Sequence, residues 1–240
     1  MFDLKRFSKK PALISLEESL SYIDLERISQ EINDFIPRRS LILLLCTNSY
    51  ESICGYLGFI NFKNVPIMLD AKLSQDNLDI YLETYQPNFA WLPTSRKALL
   101  PLCEEIFCLG GYSLIKLSPK SHQISEELAL LMPTSGSTGS QKLVRQTYNN
   151  ILANTNSIIE YLNIDSSERS ITSLPMNYTY GLSVINTFIF SGGSIFVTEK
   201  NMIDRTFWQD MENYQITHLS GVPYSYSLMK KLKFFDMHLK

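Results

Sequence analysis

The run Leu41-Ile-Leu-Leu-Leu-Cys46 constrains this chain more than any other feature. Six successive apolar residues leave no polar face, so a strand built from them must be covered on both sides. The run is also far short of the ~20 residues that a bilayer span requires. Helical spacing precedes it: Leu25, Ile28, Ile32, Phe35 and Ile36 recur at intervals of three and four. Ser21 with Asp24 opens that pattern as a variant capping box, and Pro37 stops it. The alternation then repeats. Helices are expected at 49–62, 76–85, 95–107, 147–162, 181–190, 204–214 and 224–232, and strands at 65–69, 88–92, 112–117, 128–132, 170–174, 194–198 and 216–219. Buried strands alternating with helices predict an α/β fold with mostly parallel sheets and helices on both faces.

The polar stretch at 118–127, SPKSHQISEE, is the one stretch long enough to be a linker or a domain seam. It divides the chain into a first α/β subdomain at 1–120 and a second, carrying the loop described below, at 121–240. With 22 Lys and Arg against 24 Asp and Glu, no surplus of positive charge exists to displace phosphate counterions, so nucleic acid is not an expected partner. No segment has the length and apolarity of a membrane span. Glu17, Glu18 and Asp24 fall where a signal peptide would place its apolar stretch. Cys46, Cys54, Cys103 and Cys108 form no Cys-x-x-Cys pair, and His122, His218 and His238 are scattered. Buried free thiols in a reducing cytoplasm fit this pattern better than a zinc site or a disulfide framework. His218, inside a short β-branched stretch, fits a core position better than a ligand role.

The segment that carries chemistry follows the apolar stretch 128–132. Thr134-Ser-Gly-Ser-Thr-Gly-Ser-Gln-Lys142 packs small residues, hydroxyls and one cation into a single turn region. Glycines let a backbone approach a ligand, and successive N–H groups form an anion-holding concavity. Hydroxyls add directed donors, and Lys142 adds a charge suited to a polyphosphate. The carboxyl end of a strand is where open α/β sheets bind ligands. Together these features predict a phosphate-binding loop between a buried strand and a helix. It is neither a Walker A loop, since Gln141 stands before the lysine and Leu143 after it, nor a dinucleotide fingerprint, since Gly136 and Gly139 are spaced Gly-x-x-Gly.

This string resembles the signature loop of the AMP-forming acyl-activating enzymes, the family of acyl-CoA synthetases, acyl-AMP ligases and peptide-synthetase adenylation domains. The family loop reads Thr-Ser-Gly-(Ser/Thr)-Thr-Gly-x-Pro-Lys, and the chain departs from it at Gln141. Leu20-Ser-Tyr-Ile-Asp-Leu25 is similar to an early structural element of the family. Leu174-Pro-Met-Asn-Tyr-Thr-Tyr-Gly-Leu182 is similar to its Leu-Pro-x-x-His-x-x-Gly segment, with Tyr178 at the histidine position. Ser220-Gly-Val-Pro-Tyr224 is similar to the Gly-Val-Pro segment that lines the acyl pocket.

The resemblance implies an N-terminal portion of an enzyme that joins a carboxylic acid to ATP, giving acyl-AMP and pyrophosphate. Thr134, Ser135, Gly136, Ser137, Thr138 and Gly139 would hold the β- and γ-phosphates, with Mg²⁺ arriving on the nucleotide. Lys142, with Thr134, would act on the reacting phosphates. Tyr178 and Gly181, with Gly221 and Pro223, would border the acyl pocket. Tyr178 as a core aromatic, and Gly221 and Pro223 as a plain turn, remain open alternatives. Met176, Tyr180 and Val222 suggest an apolar wall. The family's later adenine, ribose and lysine elements have no counterpart after Pro223. The chain alone is therefore expected to be limited to binding nucleotide polyphosphate, with CoA or a carrier protein and a separate C-terminal half as further partners. A non-catalytic interaction module or an inactive remnant is the alternative.

Overall fold

The computed structural model describes residues 1–117, 120–133 and 142–231. A 3₁₀ turn at Leu4–Phe7 precedes β1 (Pro11–Ile14), β2 (Ser19–Ser21), α1 (Tyr22–Asn33), β3 (Leu41–Cys46), α2 (Tyr50–Asn61), β4 (Val65–Asp70) and α3 (Gln75–Tyr85). Next come β5 (Phe89–Pro93), a 3₁₀ segment at Thr94–Leu99, β6 (Glu104–Leu109), β7 (Tyr112–Lys116), β8 (Leu128–Pro133), β9 (Leu143–Thr147) and α4 (Tyr148–Leu162). The described chain finishes with β10 (Arg169–Ile171), α5 (Thr179–Ser191), β11 (Ser194–Phe196), α6 (Arg205–Asn213) and α7 (Pro223–Lys231).

Two sheets organise these elements. The larger has the order β6-β7-β5-β3-β4-β8-β9, and the smaller β10-β11-β1-β2. Parallel ladders join β5, β3, β4 and β8 at the centre of the larger sheet. Its flanks, β7 with β6 and β9, are antiparallel. The apolar run of β3 divides by alternation, as its lack of a polar face requires. Ile42, Leu44 and Cys46 enter one core, and Leu41, Leu43 and Leu45 enter the core on the opposite face.

The layers follow from which helix shares which core. α3 covers the outer face of the larger sheet through Leu78 and Tyr81. The core on the inner face takes side chains from α1, α2, α4 and α5 and continues to Leu13 and Ile195 of the smaller sheet, so these helices lie between the sheets. Phe207, Trp208 and Met211 of α6, with Met229 of α7, cover the far side of the smaller sheet around Phe196. Polar ties cross the middle layer: Tyr22 OH donates to Gly193 O at 2.8 Å, and Tyr56 OH to Asn186 Oδ1 at 2.8 Å. The expected capping box closes α1, where Ser21 N donates to Asp24 Oδ2 at 2.9 Å. Those hydrogen bonds hold the Asp24 carboxyl below its usual range.

Several expectations are corrected. The helix expected at 95–107 is a 3₁₀ segment followed by β6, because Pro101 interrupts the pattern and Gly110-Gly111 turns β6 back onto β7, with Gly110 at φ +51°. β1, β2 and β9 were not anticipated. The strand at 216–219 reduces to one bridge, Ser170 with His218. The sheets cross the seam at 120/121: β8 and β9 complete the larger sheet, while β1 and β2 join the smaller one.

The β6 correction changes the thiol assignment. Cys46 and Cys54 are buried, and burial raises the pKa of both thiols. Cys108 is exposed on the edge strand β6, and Cys103 is half-buried before it. A thiol reagent added to native protein is expected to modify Cys108 at once and to reach Cys46 and Cys54 only on unfolding. Peptide mapping after a brief pulse checks this, and early label on Cys54 would contradict it.

Candidate functional site

The central strands β3, β4, β5 and β8 run in one direction, so their carboxyl ends share one edge of the larger sheet. Pro133 and Leu143 are partners in the β8–β9 ladder, so the chain leaves β8 and enters β9 at that same edge. Lys142 lies there and is exposed. Thr134, Ser135, Gly136, Ser137, Thr138 and Gly139 lie outside the described residues. A strand, β9, follows the loop sequence before helix α4 begins. α4 starts at the Thr147–Asn150 capping box, in which Asn150 N donates to Thr147 Oγ1 at 3.1 Å.

Two clefts open near this edge. One of about 310 Å³ lies where β3 and β4 end and the smaller sheet begins, and its lining includes Asn48, Asp70, Lys72 and Lys200. Lys200 Nζ is paired to the buried Asp210 carboxylate at 2.6 Å, which ties this wall to α6. Asn48 joins the sheets: its Nδ2 donates to Thr172 O at 3.3 Å and Leu174 O at 3.2 Å, while its Oδ1 accepts from Met176 N at 3.2 Å. Beside it Tyr112 OH donates to Leu45 O at 2.9 Å and accepts from Thr47 N at 3.1 Å. Burial pushes the Tyr112 phenol up to about 12, so it remains a donor at neutral pH.

The second cleft, about 450 Å³, separates the β8–β9 hairpin from α5 and α4. Leu130, Met132 and Gln146 line it from the hairpin, and Thr179, Tyr180 and Ser183 from the first turns of α5. Tyr178 is the N-cap residue of α5 and is 47% exposed, which removes the core-aromatic reading. Gly181 is buried in the first turn, where its missing side chain lets α5 sit against the carbonyls of Leu174 and Pro175. Met176 is core, 1% exposed, and accepts from Ser52 Oγ at its sulfur.

Ser173 Oγ donates to Ser220 O at 2.6 Å, which brings the 220–223 segment beside the loop leading to Tyr178. Gly221 is buried, and Pro223 is exposed as the first residue of α7. Val222 N, which donates to Ser225 Oγ, is part of that helix start. His218 is half-buried rather than core: its Nδ1 lies 3.1 Å from Glu168 Oε2.

Thus the Ser173–Ser220 contact joins the segment carrying Gly221 and Pro223 to the loop that precedes Tyr178 and Gly181, and Lys142 lies at the strand edge. Asn48, Lys72, Gln146 and Thr179 were missed as lining residues. Asn48 and Lys72 follow directly on buried strands, and that position was the available signal.

The chain matches the family described as AMP-binding enzyme over residues 3–239. It is 37% identical over 224 residues to a 2-succinylbenzoate–CoA ligase of Staphylococcus epidermidis, covering 88% of this chain and 45% of that protein. Among solved structures, the o-succinylbenzoate CoA synthetase MenE of Bacillus subtilis, in complex with the acyl-adenylate intermediate OSB-AMP, superposes with a TM-score of 0.75 at 20% identity. The match covers 95% of this chain and 50% of that one. Apo MatB from Rhodopseudomonas palustris gives a TM-score of 0.75 at 20% identity, over 92% of this chain and 48% of that one. The chain thus spans about half the length of these relatives. By its family match over nearly its whole length, the chain belongs to the AMP-binding enzyme family.

Proposed function

We propose that the chain supplies the phosphate-holding part of a carboxylate ligase. In that reaction a carboxylate oxygen attacks the α-phosphorus of ATP. The bond from the α-phosphorus to the β-phosphate oxygen breaks, and its electron pair leaves with pyrophosphate. The observation that carries this reading is the Thr134–Lys142 sequence set between the ends of β8 and β9, at the edge where the parallel strands present their carboxyl ends. The small and hydroxylated residues from Thr134 to Gly139 would donate to the β- and γ-phosphates. Lys142 would offset charge gathering on the departing pyrophosphate. The cleft beside Tyr180 would take the carboxylic acid, with Tyr178 and Gly181 at its rim and Gly221 and Pro223 behind.

Magnesium would arrive on the nucleotide. A structure of the Bacillus subtilis MenE protein holds ATP with a magnesium ion, which supports Mg·ATP as the co-substrate. The final acyl acceptor would be CoA or a carrier protein. A cytoplasmic setting suits this substrate, and no helix among the described residues is long and apolar enough to cross a membrane.

Calorimetric titration of Mg·ATP into the purified chain is the test, with Lys142→Ala as comparison. Removing a charge-assisted contact worth about 1.5–3 kcal/mol is expected to weaken binding by roughly tenfold or more. Absence of ATP binding by folded protein would overturn the proposal. Alone, the chain is expected to show no ATP–pyrophosphate exchange, and sustained exchange would refute its restriction to binding.

A second reading, an interaction module, draws on the apolar groove of about 460 Å³ between α4 and α5, where Tyr161 is 84% exposed. Its partner would be a chain carrying the remainder of the fold. Co-purification with such a chain, lost on Tyr161→Glu, would favour it.

A further inference from the structure

Lys120 and His122, in the polar stretch expected to be a linker or a seam, are fastened to the larger sheet at the strand ends opposite Lys142. Leu117 N donates to Asn88 O at 2.9 Å, and Asn88 Nδ2 donates to Lys120 O at 2.6 Å. Lys120 Nζ reaches Gln86 Oε1 at 2.6 Å, and His122 Nε2 lies 2.8 Å from Gln86 O, which makes the imidazole the donor. Asn88 is itself fixed, since Leu41 N donates to its Oδ1 at 2.9 Å. These bonds, bridging 29 to 47 residues of sequence, build a concave wall.

The hollow so formed, about 330 Å³, lies at the amino ends of β3 and β5 and the carboxyl end of β7. Its size falls within the roughly 300–1,000 Å³ of small-molecule sites. Four of its ten lining residues, Arg38, Arg39, Lys116 and Lys120, are Lys or Arg, against 22 in the 240-residue chain, and His122 joins them. No Asp or Glu is among the described residues that line it.

The cations are held in different ways. Arg39 donates from Nη1 to Lys63 O at 2.9 Å and Leu128 O at 3.1 Å, and from Nη2 to Ser125 O. Its charge is therefore fixed by neutral acceptors, and its buried Nε has no partner. Arg38 pairs with Glu126 at 2.9 Å, but both side chains are about two-thirds exposed. Such an exposed pair contributes little to stability and yields readily to a stronger anion. Glu104 stands opposite Lys116 in the β6–β7 ladder and is also exposed.

We infer that this hollow binds a diphosphate group, free or carried by a nucleotide, at a site separate from the phosphate loop. A single carboxylate could not balance the four Lys and Arg residues that line the hollow, whereas a diphosphate brings several charges and acceptor oxygens suited to Arg forks and Lys points. Phe89 at the inner wall offers an apolar surface beside them. β3 and β4, six residues each, separate the two edges. At about 3.3 Å per residue that is roughly 20 Å, beyond a Debye length at physiological salt, so the two sites act independently.

The test uses inorganic pyrophosphate titrated into the Lys142→Ala chain by calorimetry, which removes the loop lysine from the comparison. Binding in the hollow is expected to remain beside the weakened loop site, and to fall with added salt. Arg38→Ala combined with Lys116→Ala in the same background is expected to reduce affinity about tenfold or more. Ser121→Glu, which adds a carboxylate at the rim without removing a cation, is expected to do the same. ADP binding more tightly than pyrophosphate would identify a nucleotide as the ligand, and equal or weaker binding a free diphosphate. Failure of pyrophosphate to bind Lys142→Ala protein of native melting temperature would overturn the inference. So would unchanged affinity in both hollow variants.

Discussion

Gly181→Val is expected to destabilise the chain by about 3 kcal/mol or more, at or beyond the upper end of usual overpacking costs. A side chain there would collide with the Pro175 carbonyl oxygen, lie 2.8 Å from its carbonyl carbon and 3.0 Å from Leu174 O. All three atoms are backbone, so no rotamer change relieves the clash. The obstructing loop cannot simply retreat, because Asn48 and Ser173 fasten it to β3 and to Ser220. For a domain of this size the loss corresponds to a melting temperature lower by roughly 6–12 °C. Gly181→Ala should lie between the two. Thermal melts followed by circular dichroism measure the effect, and a native melting temperature for Gly181→Val would show that α5 does not seat on this loop. The same glycine that the family resemblance placed at the acyl pocket therefore has a packing reason of its own. Ligand-binding losses in its variants must be measured at a temperature where they remain folded.

The central architecture was legible because its strands are buried on both faces. β3, β4, β5 and β8 announce themselves as short apolar runs, and the helices between them by spacing and caps. Where a strand lies at an edge or is covered on one side, that signal weakens. β6 mixes exposed and half-buried residues from Glu104 to Leu109 without a fully buried one, and its sequence continues a helical spacing. Its real marker was the Gly110-Gly111 turn ahead of Tyr112. β9, with Val144 and Arg145 exposed, had no apolar run to mark it. β1, only four residues long, gains its position from a parallel ladder with β11, more than 180 residues away, which local pattern cannot encode.

The candidate site divides along the same line. Lys142 and the loop sequence were recognisable from composition and spacing. Tyr178 could not be separated from a core aromatic until the start of α5 was placed. Met176 and Tyr180 are four residues apart, yet Met176 is buried against α2 at the border of the 310 Å³ cleft, while Tyr180 is exposed and lines the clefts on either side of α5. That distinction arises from the close seating of α5 and from its contacts with a sheet formed by distant segments. The lining role of Asn48 likewise depends on two strand systems meeting.

Asn48 carries the other large expected effect. Its amide is matched to three main-chain groups from one loop: two carbonyls that accept from Nδ2 and one N–H that donates to Oδ1. Asn48→Leu, of similar size, removes all three bonds and leaves those groups facing an apolar side chain. Each buried, unpaired main-chain group costs about 1–3 kcal/mol, and water entering at the partly exposed seam would recover some of it. A net loss of about 2–4 kcal/mol is expected. Asn48→Asp is the sharper variant. It preserves shape and the acceptor for Met176 N, but turns a carboxylate oxygen toward Thr172 O and Leu174 O, exchanging two attractions for two repulsions. At neutral pH it should therefore be at least as destabilising as Asn48→Leu, despite being nearly isosteric. Asn48→Gln shifts the amide by one methylene, and its effect reports how narrowly the seam is set. Urea denaturation of the three variants supplies the comparison. If Asn48→Asp retained native stability, the amide would not be joining the sheets. If it lost stability while Asn48→Leu did not, charge rather than lost hydrogen bonding would be responsible. Loss in both, with the largest fall for Asn48→Asp, is the result that the geometry requires. It would mean that the loop holding Met176 and leading to Tyr178 owes its position to a side chain on the opposite sheet, about 130 residues away in sequence.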